Sequence, residues 1–147
     1  MTQREFTENE EGKRYQVYKC TAGKNTIGIG WNIDANPLPP DIAKYLQENG
    51  RILDEHIDRL WAISIGRAIA DCKKLFPNYD LFSPNRKIAL TDFVFQVGLT
   101  TAREFVNTIK AINDGKWQEA ADRMMKSAWF NQVPNRAHKV IDLIRRG

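Results

Sequence analysis

The sequence predicts an α+β protein with two lobes, a small antiparallel β-lobe joined by a long helix to a helical lobe. Apolar and polar residues alternate before residue 30 around a glycine-containing turn, which is typical of a hairpin. From residue 57 the apolar residues recur at helical spacing, and proline and glycine divide the rest of the chain into several helices. We expect a β-lobe over about 12–53, a linking helix over about 55–76 and a helical lobe over about 77–147.

The amino-terminal part is predicted to form a short helix followed by a hairpin. Residues 2–11 suit a helix too short to be stable without packing, and we expect it to pack on the helical lobe. Tyr15 and Val17 alternate with polar neighbours, as in a strand, and residues 21–23 indicate a turn. A second strand over 26–29 completes the hairpin.

Glycine and proline mark the end of the hairpin and the segment that follows it. Gly28 and Gly30 indicate a bend, or a close approach of another group to the backbone. Residues 32–40 contain three prolines and are predicted to be a loop.

The longest predicted helix begins near residue 57 and is stopped by Pro77. Its apolar residues follow the helical period throughout. They are Ile57, Leu60, Trp61, Ile65, Ala68, Ile69, Cys72, Leu75 and Phe76.

The helices of the second lobe are indicated by their ends. Ser83 is a candidate N-cap with Pro84 at the first helical position, and Gly98 is expected to end that helix. Thr101 and Glu104 have the spacing of a capping box for the next helix. The remaining helices are indicated by apolar residues at helical spacing over 105–112, 117–125 and 137–144.

Composition limits the classes of function without choosing one. The net charge is +4, spread along the chain, which favours anionic surfaces such as nucleic acid, membranes or a bacterial wall. No nucleic-acid-binding motif is recognised, so we expect no nucleic-acid partner. The first residues are polar, so they do not resemble a signal sequence, and we expect the protein to accumulate in a cytoplasm. No apolar run could span a bilayer, so we expect no membrane insertion.

The cysteines and histidines predict neither a disulfide framework nor a metal site. Cys20 and Cys72 are too few for such a framework and should stay reduced in a cytoplasm. His56 and His138 are far apart in sequence, and neither has a partner at metal-ligand spacing. We therefore expect no metal and no cofactor.

The segment from residue 11 to residue 30 carries the candidate chemistry. Glu11, Cys20 and Thr26 follow one another with eight and then five residues between them. A glutamate before a glycine-rich hairpin suits an acid that faces groups on the hairpin and protonates one side of a bond. By pattern alone, Glu11 could equally be a solvated carboxylate at a helix end, Thr26 an ordinary strand threonine and Cys20 an inert small hydrophobe.

This spacing resembles the active-site segment of the phage-type lysozymes, glycoside hydrolase family 24, and within it the T-even phage branch. That family has Glu, eight residues, Asp or Cys, five residues and Thr. A second block supports the resemblance. Residues 93–98 (FVFQVG) are similar to a helix lining the family's cleft, and residues 129–137 (WFNQVPNRA) are similar to its Trp-aromatic-Asn-Gln-x-Pro-x-Arg signature.

The resemblance implies a lysozyme-like two-lobe fold and assigns roles to the three residues. Glu11 would be the general acid, and Thr26 would position the attacking water. Cys20 stands where the family usually has Asp. As a thiolate it could act as base toward that water, giving inversion, or attack the sugar directly, giving retention.

The resemblance also implies substrate-binding residues in the second lobe, namely Gln96, Asn131, Phe95 and Arg136. Arg136 would reach the carboxylate of Glu11. Gln96 and Asn131 are candidates for hydrogen bonds to sugar, although either could instead cap backbone groups.

The function implied is that of an endolysin or muramidase, which hydrolyses the β-1,4 bond between N-acetylmuramic acid and N-acetylglucosamine in bacterial peptidoglycan and lyses the host cell. We expect a monomer that accumulates in the host bacterial cytoplasm and reaches the wall with a holin-type export partner. Two alternatives stay open: a lytic transglycosylase that uses Glu11 alone, and a non-catalytic peptidoglycan-binding homologue.

Overall fold

The computed structural model describes residues 1–147 and confirms the α+β class. The chain forms two compact units: residues 4–65 make one, and residues 1–3 together with 66–147 make the other. The elements in chain order are α1 (Gln3–Glu11), β1 (Arg14–Lys19), β2 (Asn25–Gly28), β3 (Trp31–Asn32), α2 (Pro40–Asn49), α3 (Asp54–Leu75), α4 (Pro84–Ala102), α5 (Val106–Asn113), α6 (Trp117–Met125), α7 (Ala128–Gln132) and α8 (Pro134–Arg146), with a 3-10 turn at Tyr79–Leu81.

The sheet of the first unit has the strand order β1-β2-β3, and both pairs are antiparallel. Tyr18 lies opposite Thr26 in the hairpin, and the register of β1 shifts between Arg14 and Tyr18. The hairpin was predicted. The third strand was not, because its two residues are too few to show an alternating pattern.

The sequence predicted a loop over 32–40 and no helix between that loop and the end of the β-lobe near residue 53, so it missed α2. The run of prolines ends at Pro40, which is the first residue of this helix, a position that proline tolerates well. Gly50 ends the helix in the left-handed conformation, with φ of 72°. The helix buries Ile42 in a core that also contains Ile27, Ile29, Trp31, Ile52, Ile57 and Leu60.

The long helix that periodicity predicted is present as α3, and the boundary between the two compact units falls within it. The amino-terminal helix is present as α1. Its packing on the helical lobe stays a prediction, as do the limits of the lobes. No helix in the chain is both long enough and apolar enough to cross a membrane.

Helix α4 begins and breaks where the sequence indicated. The Ser83 hydroxyl accepts a hydrogen bond from the Arg86 amide at 3.2 Å. Gly98, with φ of 81° and ψ of 162°, interrupts the helix, and one further helical stretch reaches Ala102. The predicted capping box was wrong: Thr101 lies inside that stretch, and α5 begins at Val106 without a side-chain cap.

The core of the second unit forms where α4, α6 and α8 pack together. Small buried residues allow the close approach of these helices. Phe93 of α4 makes edge-to-face contacts with Phe105 and with Trp129, each at 5.0 Å between ring centroids. The remaining buried residues include Leu90, Val94, Ile112, Ala120, Ala121, Met124, Ala137, Val140 and Ile144.

Candidate active site

Glu11 is the last residue of α1, and its carboxylate lies directly against the backbone of Gly30. A Cβ atom built on Gly30 would be 2.8 Å from Glu11 Oε2 and 2.9 Å from its Cδ. Gly30 also has φ of 67°, in the region that favours glycine. The predicted close approach at this glycine is therefore confirmed, and the approaching group is the candidate catalytic acid.

Cys20 lies in a turn, and both its backbone amide and its backbone carbonyl are hydrogen-bonded within that turn. Its amide donates to the Lys24 carbonyl at 3.0 Å, and its carbonyl accepts from the Gly23 amide at 2.8 Å. The Lys24 backbone amide lowers the pKa of the Cys20 thiol, with smaller contributions from the Ala22 amide and the Thr26 hydroxyl, while partial burial opposes them. The turn thus favours a thiolate at Cys20.

Thr26 is buried at the start of β2, between β1 and β3. Its hydroxyl donates to the Lys24 carbonyl at 2.9 Å. Cys20 and Thr26 lie on the same hairpin, because the turn that contains Cys20 joins β1 to β2. Gly30 follows the second strand of this hairpin and lies against the carboxylate of Glu11.

Arg136 of α8 makes a buried bidentate ion pair in the helical unit. Its Nε and Nη2 donate to the two carboxylate oxygens of Asp92, each at 2.9 Å. The Asp92 side chain is fully buried and that of Arg136 is 10% exposed, so the pair fixes the guanidinium plane. A contact between Arg136 and Glu11 would join the two units, and it stays a prediction.

The other candidate binding residues of the helical unit differ in their surroundings. The Gln96 side-chain oxygen accepts a hydrogen bond from Trp129 Nε1 at 2.9 Å, which leaves its amide NH2 group to donate elsewhere. Trp129 itself is buried and belongs to the core. Asn131 is exposed on α7, and Phe95 is half-buried on α4. Their roles toward a substrate stay predictions.

Both cysteines are free thiols, and their environments are opposite. Cys72 is buried in the helical unit, where its sulfur donates to the Leu90 carbonyl at 3.6 Å. Burial raises the pKa of the Cys72 thiol to about 12. Cys72 is thus an inert core residue, and only Cys20 has a reactive environment.

A family-level comparison decides the assignment. The sequence profile of the phage lysozymes matches residues 8–146, nearly the whole chain. The chain belongs to the phage lysozyme family. This lysozyme is 31% identical to "Probable T4-type lysozyme 2" of Dictyostelium discoideum, over 94% of the chain and 90% of that protein. It is 29% identical to "Probable T4-type lysozyme 1" of the same organism, with the same coverage.

A further relative is much longer than this lysozyme. The chain is 28% identical to the "Pre-baseplate central spike protein Gp5" of Enterobacteria phage T4, over 100% of the chain and 28% of that protein. The family and these relatives identify the chain as a glycoside hydrolase of the lysozyme type, a family that acts on peptidoglycan.

Two residues that lie next to individual candidate site residues of this lysozyme were not singled out from its sequence. Tyr18 lies opposite Thr26, and burial raises the pKa of its hydroxyl, with a further rise from the charge of Glu11. Asp92 was overlooked as a polar residue between the apolar positions of α4, although such a residue in a buried stripe needs a partner. An acidic residue at a buried helical position was the signal that could have found it.

Proposed function

We propose that this lysozyme hydrolyses the β-1,4 bond between N-acetylmuramic acid and N-acetylglucosamine in peptidoglycan, and that this hydrolysis lyses the host cell. The observation that carries the proposal is the contact between the Glu11 carboxylate and the Gly30 backbone. It holds a carboxyl group beside the hairpin that also carries Cys20 and Thr26. Glycosidic cleavage needs such an acid together with a group that activates water or attacks the sugar.

Glu11 is assigned as the general acid that protonates the leaving oxygen. Its place at the end of α1 supports this role, because the carboxylate lies against the Gly30 backbone and so beside the hairpin. A general acid must be held within reach of the oxygen that it protonates.

Cys20 is assigned the role that a second carboxylate performs in most glycosidases. As a thiolate it either takes a proton from the attacking water or bonds to the anomeric carbon. The backbone amides of Lys24 and Ala22 lower the pKa of the thiol and so support either role. Thr26 holds the water, since its buried hydroxyl is fixed by the Lys24 carbonyl on the same hairpin as Cys20.

Mass spectrometry of muropeptides released from purified peptidoglycan tests the reaction. Glu11→Gln should abolish release, and Glu10→Gln, one residue earlier on the same helix, should retain it. Products that gained water and end in a reducing muramic acid would support hydrolysis. Anhydro ends would show a transglycosylase that needs no Cys20, and no products from the unaltered protein would indicate a binding homologue.

The role of Cys20 is tested separately. Alkylation with iodoacetamide should stop turnover, whereas Cys20→Asp should stay active because it restores the residue usual in the family. Full activity of the alkylated protein would refute a role for the thiolate. NMR of the first product anomer distinguishes a base, which gives inversion, from a nucleophile, which gives retention.

The lytic setting is also part of this proposal. We infer a monomer that accumulates in the host cytoplasm and reaches the wall through a membrane lesion formed by a holin-type partner. The resemblance to phage endolysins supports this route. Expression in a bacterial cytoplasm should leave cells intact until a membrane-permeabilising agent is added. Lysis without such an agent would contradict it.

A further inference from the structure

A cationic concavity lies along β1, apart from the three proposed catalytic residues. Its volume is about 340 Å³. The residues that line it are Lys13, Arg14, Tyr15, Gln16, Val17, Tyr18 and Arg51. It combines three cations with two aromatic rings, and no carboxylate is among its lining residues.

Arg51 is brought to this strand by a backbone hydrogen bond. The amide of the next residue, Ile52, donates to the Tyr15 carbonyl at 2.9 Å. Ile52 is fully buried in the core of the unit, so the chain on either side of it is fixed. The position of Arg51 beside β1 is thus part of the fold.

The two arginines are held on aromatic rings. The Arg51 guanidinium lies 5.0 Å from the centroid of the Tyr15 ring, and that of Arg14 lies 5.1 Å from the Tyr18 ring. The Tyr15 ring is itself anchored, because its hydroxyl donates to Asp54 at 2.6 Å. Attraction between a guanidinium and an aromatic ring engages no carboxylate, so the N–H groups of the guanidinium stay available to bind an anion.

Charge pairing distinguishes the cations of the concavity. Lys13 is neutralised by an ion pair with Asp54 at 2.8 Å. Arg14 and Arg51 are exposed, and neither is paired with a carboxylate. Two guanidinium groups without a carboxylate partner therefore remain for a ligand, and each can bind a carboxylate with two parallel hydrogen bonds.

The concavity adjoins the proposed site through Tyr18. Tyr18 lines the concavity, and it lies opposite Thr26 in the hairpin. A ligand held in the concavity would thus lie close to glycan bound at the hairpin.

We propose that this concavity binds the free carboxylates of the peptide stems that peptidoglycan carries on its glycan strands. The proposal rests on the proposed function and names a specificity site for it. Two unpaired guanidinium groups suit one or two carboxylates, whereas a polyphosphate polymer or a nucleic acid needs a longer row of cations. The partly apolar lining, with Val17 45% exposed, suits the aliphatic parts of a short peptide.

The test compares two substrates with the same glycan. One is peptidoglycan with intact stems, and the other is the same material after an amidase has removed them. For the unaltered lysozyme, kcat/KM should be higher on the intact material. In the double variant Arg14→Gln/Arg51→Gln, the ratio of the two kcat/KM values should fall roughly fivefold, mainly through KM, since partly exposed ion pairs are of modest strength.

A matched control removes two charges elsewhere. Lys44→Gln/Arg103→Gln alters two exposed cations outside the concavity and should leave the ratio unchanged. An unchanged ratio in the Arg14/Arg51 variant, or an equal loss on both substrates, would overturn the proposal. If the ratio stayed unchanged but the Arg14/Arg51 variant lost a preference of the unaltered lysozyme for cell walls that carry phosphate polymers, the proposal would also fail, and the concavity would bind phosphate instead. No hydrolysis of either substrate by the unaltered protein would refute the proposed function itself.

Discussion

Replacing Gly30 with alanine should separate the position of Glu11 from the stability of the fold. The new methyl group would lie 2.8 Å from Glu11 Oε2. Carbon and oxygen without a bond between them prefer about 3.5 Å, so the carboxylate must move by roughly half an ångström or more. Since a displacement of about 1 Å in a catalytic group costs roughly a hundredfold in rate, kcat should fall by about tenfold to a hundredfold.

The backbone cost of this substitution can be measured separately. Gly30 has φ of 67°, and alanine in this conformation costs about 1–2 kcal/mol. Gly50 has φ of 72°, and a Cβ atom added to it would have no other atom within 4 Å, so it provides the same backbone strain without the contact to Glu11. Both variants should lose about 3–6 °C in Tm.

Thermal unfolding and a turbidity assay on peptidoglycan suffice for this test. Gly50→Ala should keep its activity per folded molecule, and Gly30→Ala should not. If the two variants were equally active at a temperature where both are folded, the contact at Gly30 would not position the catalytic acid.

Three further predictions concern thiol reactivity and stability. Because the turn lowers the pKa of the Cys20 thiol, the pH midpoint of its alkylation by iodoacetamide should be lower in the folded protein than in the urea-unfolded protein, and buried Cys72 should stay unmodified in the folded protein. Peptide mapping across pH measures both cysteines, and a Cys20 midpoint no lower than that of the unfolded protein would contradict the effect of the turn. Asp92→Asn should lower the free energy of unfolding by about 3 kcal/mol, because it breaks the buried ion pair with Arg136. Urea titrations measure this loss, and a value below about 1 kcal/mol would be inconsistent with the ion pair. Ser83→Ala removes the N-cap of α4 and should lower the free energy of unfolding by about 1 kcal/mol in the same titrations. Thr101→Ala removes no cap and should lower it by less than about 0.5 kcal/mol, so equal losses would argue against the observed helix ends.

Most helices of the helical unit could be predicted from the sequence, because the signals that begin and end a helix are local. Ser83 before Pro84 is sufficient to begin α4, and Gly98 is sufficient to interrupt it. The capping-box prediction failed because Thr101 and Glu104 have the right spacing, but the chain returns to a helical conformation after Gly98 and already includes Thr101. Spacing alone does not report where a helix resumes.

In the candidate site, too, local sequence patterns were predictable, whereas contacts between residues far apart in the sequence were not. The glycine at position 30 was enough to predict that another group approaches the backbone there. The sequence could not show that this group is Glu11, because that depends on where α1 ends in space. The pairing of Asp92 with Arg136 joins residues 44 positions apart and has no local pattern. Arg51 likewise reaches β1 through a hydrogen bond between distant backbone segments. Such contacts arise only when the elements pack.

The hydroxyl of Thr26 carries one proton, and that proton is already engaged, because the hydroxyl donates to the Lys24 carbonyl at 2.9 Å. While this hydrogen bond persists, the hydroxyl oxygen can only accept from a water. A water held at Thr26 would therefore point one of its protons at the hydroxyl oxygen. Its second proton would remain for a base, and its lone pairs would remain for the sugar. The backbone of the turn thus fixes the orientation of the attacking water before any substrate is bound.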